Sequence, residues 1–483
     1  MPSIFPKEWL SPRLFMAWLM RWAMYVLLGY WALQSDPFGF SAATDKALAT
    51  QISRLVSYLF PEPVAAVTVV AIDYPSIDGL HNGGRGWMTA NDWPLTYADH
   101  RRILRDLSAP RGEPAPAAIF YDIFFERPRV ISGDLEPLGR QLQRLRNDPG
   151  MPRVFLAGGG SFVPMSTAAF AALQHPALAV SAWDGMGDFY PLHASLGTAA
   201  APQASAATAL YRTLCTAAGK DCRWADEEGL DNLAVQWRVR TDSACDGFWR
   251  NLGRDLWSGV GRVVGFATED TAFEAACMPI HQVRLSELYG EHPASLRPPG
   301  LAPGEPYAVL VGVVMPSLRD YVPSPLYGQV AGVYLHANAL ENLLRKDEDY
   351  LRERNLKWWS VAAVALTIAL CMLGGIRRHA RRPLGWLFPE VDEHAALHRR
   401  LLTTLLFGLV FSSIVLLLYG LFQWFGHATP EGWLSLIGLM PFLREVVLAG
   451  EKKYSESEKV SNEARDCDDR PAAGGIEPGV GAG

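Results

Sequence analysis

Two stretches near the C-terminal end of the chain, residues 358–376 (WWSVAAVALTIALCMLGGI) and 401–426 (LLTTLLFGLVFSSIVLLLYGLFQWFG), contain no charged side chain. About 20 apolar residues cross a bilayer, and inside it only a helix satisfies its own backbone, so both stretches are expected to be membrane spans. Residues 14–33 are interrupted only by Arg21; they are too long and too Trp-rich for a cleaved signal peptide and read as an uncleaved anchor. Residues 432–450 contain Pro441, Arg444 and Glu445, each charge costing ~2.5–3.5 kcal/mol at a helix centre, and form the fourth expected span. Arg444 and Glu445 are expected to snorkel to the interface, or else to pair with Arg21 or a partner's helix.

Orientation follows from basic residues in short loops. Arg377, Arg378, Arg381, Arg382, Arg399 and Arg400 lie between the second and third spans, which places that loop and both termini in the cytoplasm. The organisation expected is a stub and first span (1–35), an exported domain (36–356), three further spans (357–450) around the basic loop 377–400, and a polar, disordered tail (451–483). In a bacterium this is a multi-pass inner-membrane protein with a large periplasmic domain. The 44 Lys and Arg against 50 Asp and Glu, net −6, offer no polycationic surface for nucleic acid.

Cys215, Cys222, Cys245 and Cys277 all fall in the exported stretch, where disulfides form. Three pairings are open. Cys215 with Cys222 closes a tight loop and leaves Cys245 with Cys277, the preferred arrangement, against the alternative of free buried thiols. No CxxC or paired His accompanies them, and neither a metal nor a cofactor is expected.

Within the exported domain, nearly continuous apolar runs at 64–73, 117–125, 153–157, 233–239, 262–267 and 307–314 read as strands buried on both faces, alternating with helical patterns. Thr96 to Asp99 has the look of an N-cap for a helix burying Ile103, Leu104 and Leu107. The class is an α/β domain with a mostly parallel sheet, joined to one N-terminal and three C-terminal transmembrane helices.

Asp73 and Asp122 end two of these strands, where open α/β sheets bind ligands. As carboxylates on neighbouring strands they are placed to hold a polar ligand or a divalent cation; alternatively Asp73 caps the turn before Pro75 and Asp122 rests on backbone donors. Gly83-Gly84-Arg85-Gly86 and Gly158-Gly159-Gly160-Ser161 lack the order of a phosphate-binding loop. Glu393, His394 and His398 have no third metal ligand at fixed spacing. Arg319 and Asp320 follow the last strand, while His336 and Asn338 open the next helix; together they read as a polar cluster, or the latter two as helix caps. That helix is expected to run from 335 to 356 as a stalk into the membrane.

The order VTVVAIDYPSI (67–77), NDWPLTYADHRRIL (91–104), AAIFYDIFFERP (117–128) and VLVGVVMPSLRDYVPSPLYGQVAGVYLHANALENLL (309–344) resembles the CHASE2 extracytoplasmic sensor domain over roughly residues 60–350. The resemblance implies a sensor of an external signal, with Trp93 of the Trp-Pro element joining Asp73, Asp122, Arg319, Asp320, His336 and Asn338 as candidate ligand residues. Two departures stand out: residues 81–91 lengthen the first loop, and Thr96 or Tyr97 stands where an Arg often follows the Trp-Pro element. Relatives usually carry a cytoplasmic kinase or cyclase; none is recognised in 451–483, so the signal is expected to leave through a separate membrane or cytoplasmic protein. The expected partners are thus the lipid bilayer, an unknown extracytoplasmic ligand and that effector, with a homo-oligomer open. The competing readings are a constitutive docking component of an envelope complex and an exported hydrolase; no catalytic signature supports the last.

Overall fold

The computed structural model describes the chain except residues 1–11, 36–39, 84–85, 161–164, 185, 187–188, 197–200, 228, 243, 246, 265–273, 319, 355–356, 378–395, 426–427, 431–433 and 469–483. Two compact units are present: Ala49–Arg354 with Gln423–Thr429, and a helical unit of Met1–Leu48, Asn355–Phe422 and Pro430–Gly483.

The first unit is built on β1 (Val67–Ile72), β2 (Ala118–Asp122), β3 (Arg153–Ala157), β4 (Leu178–Ala179), β7 (His281–Arg284) and β8 (Ala308–Val313). They form a six-stranded sheet in the order β4-β3-β2-β8-β1-β7, every pairing parallel. Two small antiparallel pairs stand beside it: β5 (His193–Ala194) with β6 (Gln203–Ala204), and β9 (Tyr321–Ser324) with β10 (Gly328–Ala331). The strand runs do not alternate because both faces are covered. Val67, Val69, Phe120 and Leu310 pack under α7 (Ala206–Ala217) and α9 (Gly332–Lys346). Val70, Ile72, Ile119, Tyr121 and Val311 pack under α3 (Tyr74–Asn82), α4 (Tyr97–Ser108), α5 (Glu136–Asn147) and α6 (Thr167–Ala172). Each fully buried Val, Leu or Ile contributes roughly 1.5–3 kcal/mol of transfer free energy. Thr96 caps α4 as expected, accepting from Asp99 N at 3.2 Å, and Ile103, Leu104 and Leu107 are buried.

Two expected strands take other forms. Residues 233–239 run extended but outside the sheet, because their polar groups are satisfied elsewhere: Leu233 exchanges backbone bonds with Tyr190, Ala234 N donates to Leu351 O, and Gln236 N to Asn342 Oδ1 at 2.6 Å. Of 262–267, the first three residues end helix α8 (Phe248–Val264) and the rest lie outside the described residues. The sheet edge is filled by β7, whose sequence HQVR buries only Val283 and suits a one-sided edge strand. Helix α8 turns Asn251 and Ser258 inward, and its Asp255 meets Arg54 and Tyr58 of α2 (Phe40–Leu59).

Cys215 pairs with Cys222 and Cys245 with Cys277, at Cα separations of 6.1 and 5.5 Å. The stalk is not one helix: α9 stops at Lys346, and Asp347 has a φ of 54°, uncommon outside glycine, with its carboxylate held by Tyr211 Oη and by Trp224 Nε1 at 2.8 Å.

In the helical unit, α1 (Pro12–Ser35), α10 (Lys357–Arg377), α11 (Ala396–Phe425) and α12 (Ser435–Asp468) occupy the four apolar segments. Among the described residues one segment, Thr404–Phe425, is long and apolar enough by itself to cross a membrane. Tyr25, Val364, Ile368, Met440, Leu443 and Val447 join α1, α10 and α12, and Trp22 Nε1 donates to Ala365 O at 2.9 Å. Arg444 does not snorkel. It is 3 % exposed and bonds Thr404 Oγ1 at 2.9 Å and Glu445 Oε1 at 2.6 Å, while the Arg21 guanidinium lies over the Tyr454 ring. Helix α12 continues to Asp468, so residues 451–468 are helical where a disordered tail is expected.

A Cβ at Gly312 would lie 2.5 Å from Val333 Cβ, so β8 and α9 meet only because that position is glycine. Gly312→Ala is expected to lower the stability of the α/β unit by about 1–3 kcal/mol in denaturant unfolding of the full chain. Reduction of Cys245–Cys277, which closes a separation of 32 residues, should cost about 3 kcal/mol in the same measurement.

Candidate functional site

At the carboxyl ends of β2 and β8 the chain leaves the sheet in opposite directions and opens a pocket of about 150 Å³. Its wall includes Trp93, Tyr97, His100, Asp122, Phe125, Arg127, Arg129, Ser132 and Asp320. Three parts of the chain deliver them: α4 with the loop before it, the end of β2 with the turn after it, and the segment after β8.

The first loop is pinned by Asp99. Its buried carboxylate accepts from Thr89 N (2.8 Å), Ala90 N (2.9 Å) and Thr96 Oγ1 (2.7 Å), with Arg102 at 3.7 Å. Burial alone would raise its pKa, but these bonds outweigh burial and hold it below the ordinary value. Trp93 and a cis Pro94 hang from this anchored loop. The turn after β2 is fixed by Tyr97, whose hydroxyl accepts from Arg129 N at 2.8 Å and donates to Arg127 O at 3.4 Å. The Thr96–Tyr97 dipeptide therefore has two structural tasks, capping α4 and holding the arginine-bearing turn.

Asp122 is the end of β2, flanked by β8. Burial, and then the charge of Asp320, pushes its carboxyl well above the usual carboxylate range. Asp320 is exposed as a residue, yet its carboxyl turns against the start of α9, where a Cβ on Gly332 would lie 2.8 Å from Oδ1; burial raises its pKa too. Neither carboxyl has a hydrogen-bond partner among the described residues. His100, 3 % exposed, bonds Tyr121 Oη through Nδ1 at 2.9 Å and stands edge-on to Trp93 and Phe125. Burial brings its pKa down to about 4, with Asp99 opposing and Arg129 adding to the shift.

Of the residues expected at a site, Trp93, Asp122 and Asp320 come together here. Asp73 does not: β8 separates β1 from β2, so the two carboxylates are not on neighbouring strands. Asp73 caps α3 by accepting from Ser76 N at 2.8 Å, with Arg284 Nε 3.9 Å away. Arg319 lies outside the described residues. His336 and Asn338 neither cap α9, whose N-cap is Ala331, nor join Asp320. His336 is a core residue, its Nδ1 2.9 Å from Tyr190 Oη and its ring among Phe120, Trp183 and Tyr190, while Asn338 Nδ2 donates to Tyr334 O at 2.9 Å. Sequence reasoning missed His100, Tyr97, Arg127 and Arg129; the Glu-Arg-Pro-Arg run after a strand end is the one signal that pointed there.

Among the described residues no group of three His, Cys, Asp or Glu is placed to hold a metal ion. A wider hollow of about 1250 Å³ borders β3, β4 and α7, but Arg212 and Arg223 on its wall are already paired with Asp226 and Asp221.

The chain thus combines a parallel α/β domain, with a pocket at the carboxyl edge of its sheet, and a helix long and apolar enough to anchor it in a membrane. The CHASE2 domain family matches residues 22–376, from within α1 to the end of α10, and the chain belongs to that family. CHASE2 domains are extracytoplasmic sensors. Comparison with curated proteins and with solved structures returns no match.

His336, like His100, has its pKa brought down to about 4 by burial, against about 6.5 when unfolded. The unfolded chain binds more protons in that interval, so the contribution of each His to stability is complete above pH ~6.5 and is lost as pH falls towards 4. The raised carboxyls of Asp122 and Asp320 act in the opposite sense, so the effect is read by difference. Between pH 7.5 and 5 the wild-type chain should lose about 2 kcal/mol more than His336→Gln in denaturant unfolding.

Proposed function

We propose that the protein is a bacterial inner-membrane sensor whose periplasmic α/β domain takes a small ligand in the pocket at Asp122 and Asp320 and passes the change to a separate effector protein. It acts as a receptor and not as an enzyme. The observation that carries this reading is a pocket at the carboxyl edge of the sheet whose wall holds Asp122, Asp320 and His100 Nε2, none with a hydrogen-bond partner among the described residues and so each open to a ligand. Asp320 supports the relay. Its carboxyl abuts the first residue of α9, the last helix of the domain before the chain enters α10. A ligand that engages Asp320 therefore has differential contact with the position of α9, which is what a population shift requires. Because α9 ends at Lys346, the shift passes through residues 347–356 and not along a continuous rod.

Four membrane helices with the basic loop 377–400 and both termini in the cytoplasm complete the proposal, the charge pattern supporting it. A cytoplasmic reporter fused after Gly483 should be active, and an exported tail would overturn the four-span topology.

A second reading has one specific support. Val130 and Ile131, beside the pocket, are 99 % and 89 % exposed, an apolar tip suited to docking a protein. Affinity purification of the tagged full-length chain in mild detergent separates the two. The sensor reading expects a stoichiometric kinase, cyclase or protease; envelope or secretion components alone would replace it with the docking reading.

A further inference from the structure

The charges around the pocket are segregated by sign. Asp320 is the charged neighbour that acts on Asp122, and among the described residues no arginine acts on that carboxyl. Arg129, in contrast, acts on His100, with Arg127 on the same turn and the same wall. Asp320 lies against Gly332 at the start of α9, whereas Arg129 is tied by its N–H to Tyr97 and His100 by Nδ1 to Tyr121, on the α4 side; the pocket therefore has a carboxyl side without hydrogen-bond partners among the described residues and a side with guanidiniums and an imidazole whose Nε2 no described residue bonds. Trp93, Tyr97 and Phe125 lie along the wall as well. The volume, about 150 Å³, equals roughly five waters at ~30 Å³ each, room for a molecule of well under a dozen heavy atoms.

A simple anion would leave Asp122 and Asp320 unsatisfied, and a simple cation would leave the arginine end empty. A single ligand that completes both ends carries an ammonium and a carboxylate a few bonds apart. We propose that the pocket binds a small α-amino acid, its ammonium received by Asp122 and Asp320 and its carboxylate by Arg129 beside His100. The aromatic wall contributes as well, since ammonium groups are attracted to the faces of Trp and Tyr. Paired guanidinium–carboxylate and ammonium–carboxylate contacts in a desolvated site are the strong class of hydrogen bonds. This inference rests on the sensor reading only for its biological meaning, not for the binding itself.

The test uses the full-length chain in nanodiscs, with titration calorimetry and thermal unfolding against glycine, L-alanine and L-serine, and with propionate and ethylamine as one-ended probes. At least one amino acid is expected to bind tenfold or more tightly than either one-ended probe and to raise the unfolding temperature. Asp122→Asn should weaken the amino acid at least tenfold while leaving any propionate binding unchanged, and Arg129→Gln should weaken the amino acid and propionate together. Propionate binding as tightly as L-alanine would reduce the site to an anion site and overturn the proposal, as would ethylamine doing the same. Absence of binding by all three amino acids to a chain that unfolds cooperatively would also overturn it. The sensor reading fails separately: amino-acid binding that leaves the co-purified effector unchanged sinks the relay and keeps the site, whereas stabilisation by a different small molecule keeps the relay and sinks the amino acid.

Discussion

The register of β8 between β2 and β1 is the constraint on which the site depends. Ala308 pairs with both Val67 and Ala118, and Gly312 with both Ala71 and Asp122, so three strands end level with one another. Every strand of the sheet points the same way, and both faces are sealed by helices, so the loops at the carboxyl edge are the place where polar side chains can converge without breaking a hydrophobic layer. Gly312 lets α9 lie directly on that edge, which is how Asp320 comes to rest against the start of the helix.

The sheet was largely legible because a parallel strand buried on both faces leaves an unmistakable run: 64–73, 117–125, 153–157 and 307–314 contain β1, β2, β3 and β8. Composition failed where tertiary partners decide. Residues 233–239 have the apolar content of a strand, yet Asn342 and Leu351 take their backbone groups, and the edge position goes to the mostly polar β7, for which no hydrophobic run exists to be seen.

The same division explains the site. Asp122 and Trp93 could be found because they sit at a strand end and in a Trp-Pro element, features carried by local sequence. Asp73 looked equivalent to Asp122 and is not. Both terminate apolar strands, but Asp73 is followed by Tyr74-Pro75 and a helix that consumes its carboxylate as a cap, whereas the turn after Asp122 supplies it with no donor. His100 and Arg129 belong to the site only through Tyr121 and Tyr97, contacts separated by 21 and 32 residues in the chain. No spacing rule encodes such distances.

What the fold then does with these residues is to hold charge in tension. Asp99, next to His100 in the chain, accepts three hydrogen bonds and faces Arg102, which holds its pKa low, while Asp122 has no hydrogen-bond partner among the described residues and burial raises its pKa. The two carboxyls differ in function for that reason alone. Asp99 has nothing left to offer a ligand and serves to fix the loop of Trp93. Asp122 retains its hydrogen-bonding capacity, which a ligand in the pocket would use. In the proposed sensor, binding energy released there would act on Asp320 and so on the N-terminus of α9, the element that leads out of the domain. A rigid, fully satisfied site would bind without changing anything; the unsatisfied carboxyl pair gives the empty and filled states different energies, and that difference is what a sensor needs.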